Sequence, residues 1–405
     1  MHYPAALRAL NHRDFRLFWI GQSISSVGSW MQSVGLSWLV LELTNSPFRL
    51  GVVSALQFGP VLLFSAIAGV VVDRTPKRPL IIATQTALML PAFALAALAW
   101  GGWVRYWHVA VLAGLIGVVN ALDMPSRQSF MVEMVGREDL LNAMALNSAT
   151  FNAARVAGPA IGGLLIARYG IALAFLLNAI SFLAVVINLA AVHAGSEPRP
   201  RRGTTIREEL ADGLRYATRT PLVALILGLI FSVSTFAMNH SVLVPLFARD
   251  VLHQGVHEFG LLMASLGAGA VVGAIAVAVV SYGQPPLASV VVPGVGVAVA
   301  ILTLGFVRYF ALAAVILFLV GVMQIIFQNS CNTIVQVTVP DELRGRVMGV
   351  YMMVFAGATP AGATLIGTVA EGAGVPAACF VGGSLALLGV AFQLALWRRL
   401  KYAEV

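Results

Sequence analysis

Apolar runs of about 20 residues, separated by short connections that hold most of the charge, recur along the whole of this chain. A helix rises roughly 1.5 Å per residue, so each run is long enough to cross the hydrocarbon of a bilayer. Twelve such spans are read, at approximately 17–41, 48–72, 79–100, 108–126, 141–167, 172–192, 221–246, 257–281, 287–307, 310–336, 345–369 and 375–397. With 59% hydrophobic and 10% charged residues among 405, the chain carries more apolar side chains than a soluble core can bury. The expected fold is an all-α membrane protein of twelve transmembrane helices.

The basic start (Arg8, Arg13, Arg16) leads into an apolar run too long for the core of a cleavable signal, so the N-terminus is expected to stay in the protein. Cys331 and Cys379 both fall inside spans, which suggests neither a disulfide framework nor a thiolate metal site. The formal charge of +8 does not point to nucleic acid, because the basic residues are sorted by side. With the N-terminus inside, the inner connections hold Arg8, Arg13, Arg16, Arg74, Lys77, Arg78, Arg127, Arg137, six arginines between 199 and 219, Arg344, Arg346, Arg398, Arg399 and Lys401. The outer ones hold Arg49, Arg105, Arg168, Arg249 and Arg308. Both termini are therefore expected in the cytoplasm, which in a bacterium makes this a multi-pass protein of the inner membrane.

The longest polar stretch, 194–220, divides the spans six and six, giving expected bundles at 1–193 and 221–405 joined by a cytoplasmic linker. Thr205 and Glu208 fit a capping box, and Ile206, Leu210 and Leu214 recur at i, i+4, i+8, which predicts a short amphipathic helix on the inner surface. The halves are related. An offset of 204 superimposes Val135 on Val339, Met144 on Met348, Gly158 on Gly362 and Gly163 on Gly367, and an offset of 209 lays Gly51 and Ala55 on Gly260 and Ala264. Internal repeats with a site at their interface are how many transporters are built, and two related halves imply alternating access.

Between spans two and three stands G-x-x-x-D-R-x-x-K-R, as Gly69, Asp73, Arg74, Lys77 and Arg78. This resembles the signature loop of the major facilitator superfamily. ARVAGPAIGG in span five, with Gly158, Pro159, Gly162 and Gly163, is similar to the motif of that superfamily's drug and metabolite antiporters. The stretches 11–32 and 121–148 resemble the branch of transmembrane secretion effectors that includes an enterobactin exporter. The resemblance implies two pseudo-symmetric six-helix bundles, and a conformational latch in which Asp73 holds the outward-open state while Arg74, Lys77 and Arg78 pair with acids or lipid phosphates. The chain departs from the pattern at Pro76, where a glycine stands in relatives, and at Tyr282 and Gly283, where the repeat places an acid and a base. Spans one and four also lack the buried acid and mid-membrane arginine of many proton-coupled relatives.

Asp123 and Arg127 are four apart near the inner end of span four, on one helical face where they can pair. Their repeat counterparts, Phe327 and Cys331, are uncharged. Gate contact, protonation switch and structural ion pair all fit such an asymmetric pair. Arg155 lies about 20 Å into span five at 1.5 Å per residue, where it either binds anionic or catecholate-like oxygens or clamps an interhelical carbonyl. Polar stripes in spans one, five, seven and ten line a cavity or join helices. In this superfamily spans one, four, seven and ten surround the cavity, which makes Gln22, Ser29, Asn120, Asn239, Gln324 and Gln328 candidate substrate contacts, with Asn152 and Arg155 from span five. Gly158, Pro159, Gly162 and Gly163 are read as a bending and close-packing motif rather than ligand contacts.

The seven histidines form no catalytic or metal-binding constellation, and no P-loop appears, so neither an enzyme nor direct ATP coupling is expected. His240, alone within a span, reads as a packing histidine. The function read is secondary export of a small amphipathic molecule (drug, siderophore or metabolite), without cofactor or metal, by a monomer in the bilayer, with protons as the candidate exchange partner. An importer of a polar nutrient is the alternative, and a membrane assembly factor a third.

Overall fold

The structure of the protein, a computed structural model, describes residues 4–136, 138–192, 206–280 and 285–403. Arg137, His193, Arg199, Arg201, Arg202, Thr205, Tyr282 and Gly283 lie outside them, as do the side chains of Asp73 and of residues 206–210.

After a short 3-10 helix, Ala5–Asn11, the chain runs through fourteen α-helices. Six precede the linker: α1 Arg13–Thr44, α2 Pro47–Arg74, α3 Lys77–Trp100, α4 Tyr106–Val135, α5 Leu140–Tyr169 and α6 Ile171–Ala190. The linker carries α7, Ile206–Arg219. The rest are α8 Pro221–Ala237, α9 His240–Leu246, α10 Val256–Val280, α11 Ala288–Leu304, α12 Phe310–Thr338, α13 Asp341–Ala373 and α14 Val375–Ala403. Among the described residues nine helical stretches are long and apolar enough to cross a membrane, and α11 is a shorter apolar helix of 17 residues. α1 and α5 coincide with expected spans one and five but are more polar, with serines and carboxamides at helical spacing. Span seven is broken: α8 ends at Ala237, α9 starts at His240, and a π turn, Phe247–Val251, follows. The fold is all-α, as composition and periodicity require.

The helices form two compact units, one of residues 1–45, 56–202 and 255–264, the other of 46–55, 203–254 and 265–405. These differ from the chain-order halves at two short segments, and close backbone approach explains both. In the second unit a Cβ on Gly51 of α2 would lie 2.5 Å from Ala363 O of α13, and one on Gly367 would lie 2.6 Å from Pro47 O. In the first, a Cβ on Gly163 of α5 would lie 2.8 Å from Val256 O and 3.0 Å from Gly260 Cα of α10. Only glycine admits these crossings, since small residues let helices touch along their backbones. Gly51 with Gly260 and Gly163 with Gly367 are the pairs superimposed by the sequence repeat.

Within the first unit α1 packs on α5 and α6, and α3 on α4 and α6. Phe15, Phe18, Ile81, Phe130 and Leu189 fill one end of its core. The 3-10 helix docks beside them: Arg8 Nε lies 2.7 Å from Asp139 Oδ1, His12 Nε2 lies 2.8 Å from Asp139 Oδ2, and the Ala9 N–H donates to Asn142 Oδ1 at 2.9 Å. Within the second unit α8 packs on α13 and α14, and α11 on α12 and α14. α7 lies against α13 through its small residues. Gly213 and Ala217 are buried, a Cβ on Gly213 would meet Arg346 O at 2.6 Å, and Arg346 pairs with Asp212 at 2.8 Å. Leu214, one of the stripe residues, is 52% exposed. Small residues let the backbone of α7 sit on α13.

Candidate functional site: a polar cavity in the first unit

A cavity of about 490 Å³ opens among α1 to α6 in the first unit. Its size suits a small organic ligand. α1 contributes Phe18, Gln22, Ser29, Trp30 and Gln32, spaced so that one helical face turns inward. α2 adds Gln57 and Phe58, α3 adds Gln85, α5 adds Asn147 and Phe151, and α6 adds Asn178 and Phe182. From α4 come Asn120, Asp123, Met124, Arg127 and Gln128. The wall is therefore carboxamide and aromatic, with one acid and one base.

Asp123 is fully buried, and its Oδ2 lies 2.7 Å from an Nη of Arg127, the pairing that the i,i+4 spacing allows. Two donors arrive from α3: Gln85 Nε2 donates to Oδ1 at 2.8 Å, and Thr84 Oγ1 lies 2.7 Å from the same oxygen. Asp123 and Arg127 both line the cavity, but Asp123 is buried and the Arg127 side chain is 24% exposed, so the base is the more open of the two. On α6, Asn178 Nδ2 donates to Gln32 Oε1 at 2.7 Å, and Ser181 Oγ donates to Asn178 O at 2.7 Å. Gly28 of α1 is where α6 comes close enough for this, a Cβ there falling 2.6 Å from Asn178 Oδ1.

Gln22, Ser29, Asn120, Asp123 and Arg127, five of the residues singled out in the sequence, meet in this cavity. Asn152 and Arg155 are not among its lining residues. Asn152 Nδ2 donates to Ser148 O at 2.9 Å, and the Arg155 guanidinium lies 6.0 Å from the centroid of the Trp30 ring. Trp30 meets Phe151 edge to face at 5.9 Å, so Arg155 braces an aromatic pair of the cavity wall by a cation–π contact. Gly158 and Gly162 abut α1, a Cβ on Gly162 falling 3.0 Å from Met31 Cα, while Pro159 sits inside an α5 that continues to Tyr169. Lining residues that the sequence did not single out include Gln57, Gln85, Gln128, Asn147 and Asn178; the one clue to them is their carboxamides within apolar runs.

The remaining candidates belong to the second unit. Asn239 caps the break in span seven and donates from Nδ2 to Thr235 O at 2.6 Å, satisfying a carbonyl at the interrupted helix end. His240 Nε2 lies 2.9 Å from Gln324 Oε1, and Gln328 Nε2 lies 3.7 Å from Met238 Sδ.

In the signature loop α2 ends at Arg74 and α3 starts at Lys77. Lys77 is buried and donates to Thr75 O at 3.3 Å. Arg78 donates to Leu189 O at 2.9 Å and Ala190 O at 2.7 Å, capping the last turn of α6 as a cation does at a helix C-terminus. A Cβ on Gly69 would meet nothing within 4 Å. Among the described residues no cluster of His, Cys, Asp and Glu is arranged to hold a metal.

An all-α membrane protein with related helical sets, close glycine crossings and a polar cavity among its spans belongs to the class of major facilitator transporters. The chain is a member of the transmembrane secretion effector family, whose model matches residues 5–404. A multidrug efflux pump, Tap, of Mycolicibacterium fortuitum is 29% identical over 90% of both chains. The enterobactin exporter EntS of Shigella boydii is 26% identical over 95% of this chain and 92% of its own. Among solved structures, a nucleoside transporter superimposes with a TM-score of 0.76 at 11% identity, covering 95% of this chain and 99% of that one. A bacterial homologue of the lysosomal transporter Spinster superimposes at 0.73, covering 95% and 96%. These two support the fold. The protein is a multi-pass membrane transporter of small molecules, not an enzyme.

Proposed function

We propose that this protein exports a small amphipathic molecule from the cytoplasm by alternating access, as a monomer in the inner membrane with both termini cytoplasmic. The observation that carries this reading is the cavity of about 490 Å³, whose carboxamides and aromatic rings suit a ligand with both polar and apolar surface. Two relatives named as exporters, aligned over nearly the whole chain, favour the outward direction. Gln22, Ser29 and Asn120 are assigned to the substrate. Asn239, Gln324 and Gln328 are assigned to it from the second unit, and Asp73 with Arg74, Lys77 and Arg78 to the inner latch.

Asp123 is assigned to proton exchange, because it is the one acid of the cavity wall and protonation would release Arg127 from it. The test is uptake into inside-out vesicles of a panel of drugs, siderophores and metabolites. Substrate accumulation that depends on the protein and falls when Asn120→Leu replaces a carboxamide of the cavity wall by an apolar side chain supports the reading. Accumulation unchanged by Asn120→Leu removes the cavity from it.

A further inference from the structure

We infer that the cavity selects aromatic ligands that carry hydrogen-bond donors and an acceptor oxygen but no fixed positive charge. The inference rests on the reading of this cavity as the substrate site, and it follows from how the buried pair is oriented. Asp123 is 0% exposed and ion-paired with Arg127 at 2.7 Å, Thr84 and Gln85 reach its Oδ1, and its Oδ2, although without a hydrogen bond among the described residues, is buried, so no carboxylate oxygen is open to a cationic ligand. Arg127 is the partner that reaches the cavity, its side chain being 24% exposed. A cation entering this space meets a guanidinium in a medium of low dielectric, whereas a carbonyl or phenolic oxygen meets a planar donor.

The other unmet groups point to the rest of the ligand. The Oε1 atoms of Gln22 and Gln85 are buried and unpartnered among the described residues, so hydroxyl or N–H donors are what this wall lacks. The Trp30 and Phe151 pair supplies an aromatic face, held by Arg155 on the ring of Trp30. An aromatic phenol or amide satisfies all three demands at once. A quaternary ammonium of the same shape satisfies only the last.

The test is equilibrium binding to the purified full chain in lipid nanodiscs, using a bis-phenolic aromatic diamide and its twin in which one phenol is replaced by a trimethylanilinium. The neutral probe is expected to bind at least about tenfold more tightly than the cation, a difference well above the resolution of such measurements. Arg127→Gln exposes the carboxylate without its counter-ion and is expected to weaken the neutral probe and strengthen the cation, collapsing or inverting the ratio. Should Arg127→Gln fail to fold, the double variant Asp123→Asn with Arg127→Gln removes both charges and is expected to weaken the neutral probe without any gain for the cation. Equal or tighter binding of the cation by the parent, or no binding of either probe, overturns the inference. If Asn120→Leu still abolishes binding in the first of those cases, the cavity reading survives alone. A neutral preference that Asn120→Leu leaves untouched places the binding elsewhere and overturns both.

Discussion

Thr84 has one hydroxyl proton and two acceptors in reach, Asp123 Oδ1 at 2.7 Å and Ile81 O at 3.0 Å. It can donate to a carboxylate, or turn to its own helix and accept from a carboxylic acid, keeping Asp123 hydrogen-bonded in either state. Thr84→Val should therefore cost on the order of 1.5–3 kcal/mol by removing one of the two hydrogen bonds to a buried carboxylate oxygen. Thr84→Ser should recover most of it, as read by thermal unfolding in nanodiscs. Asp123→Asn should abolish the dependence of transport on a pH gradient while leaving downhill exchange intact, measured in proteoliposomes. Loss of both activities together would mark the acid as structural, and a parent indifferent to the gradient would remove the proton altogether. The pair itself was legible in the sequence, since four residues on one helix fix its geometry. Thr84 and Gln85 were not, because their contact with α4 depends on how α3 packs, and nothing in a local pattern records that.

Helix-to-helix contacts are where glycine separates into two kinds. A Cβ on Gly158 would collide with the Cβ of Trp30 and sit 3.0 Å from Val27 O, both on α1, while one on Gly69 would meet open space. Gly158→Val should then cost roughly 1–3 kcal/mol of overpacking and lower the folded yield and Tm, whereas Gly69→Ala should leave both near the parent. A Gly69→Ala protein that unfolds as readily as Gly158→Val would contradict this division. Where most spans fall and how the glycines recur was legible, because hydropathy and the spacing of Gly51, Gly163, Gly260 and Gly367 are written along the chain, whereas α4 runs on to Val135, past the end expected near 126. The break between α8 and α9 was not: Met238 and Asn239 leave helical geometry inside an otherwise apolar run, without a glycine or a proline at the break itself to mark it. The amphipathic linker helix was expected from its pattern, yet Gly213 and Ala217, its smallest residues, make its contact with α13.

At the scale of the molecule the two assigned carboxylates are separable by experiment, although removing either should slow transport. Asp73 follows directly on the second apolar span and beside Arg74, in the loop whose Arg78 ties α3 to the end of α6. A latch biases an equilibrium between conformations without touching the ligand, so its loss changes populations rather than intrinsic affinity. Asp73→Asn should fold, bind the neutral diamide within a few-fold of the parent, and transport poorly at every imposed pH gradient. Asp123→Asn should instead retain gradient-independent exchange, because its change lies in the cavity wall and not in the loop. The comparison requires binding and vesicle transport on both variants at matched protein level. Asp73→Asn transporting like the parent would end the latch assignment. Asp73→Asn losing only the response to pH would move the proton from the cavity to the loop, since a group that carries the exchanged proton must be the one whose removal uncouples exchange from the gradient.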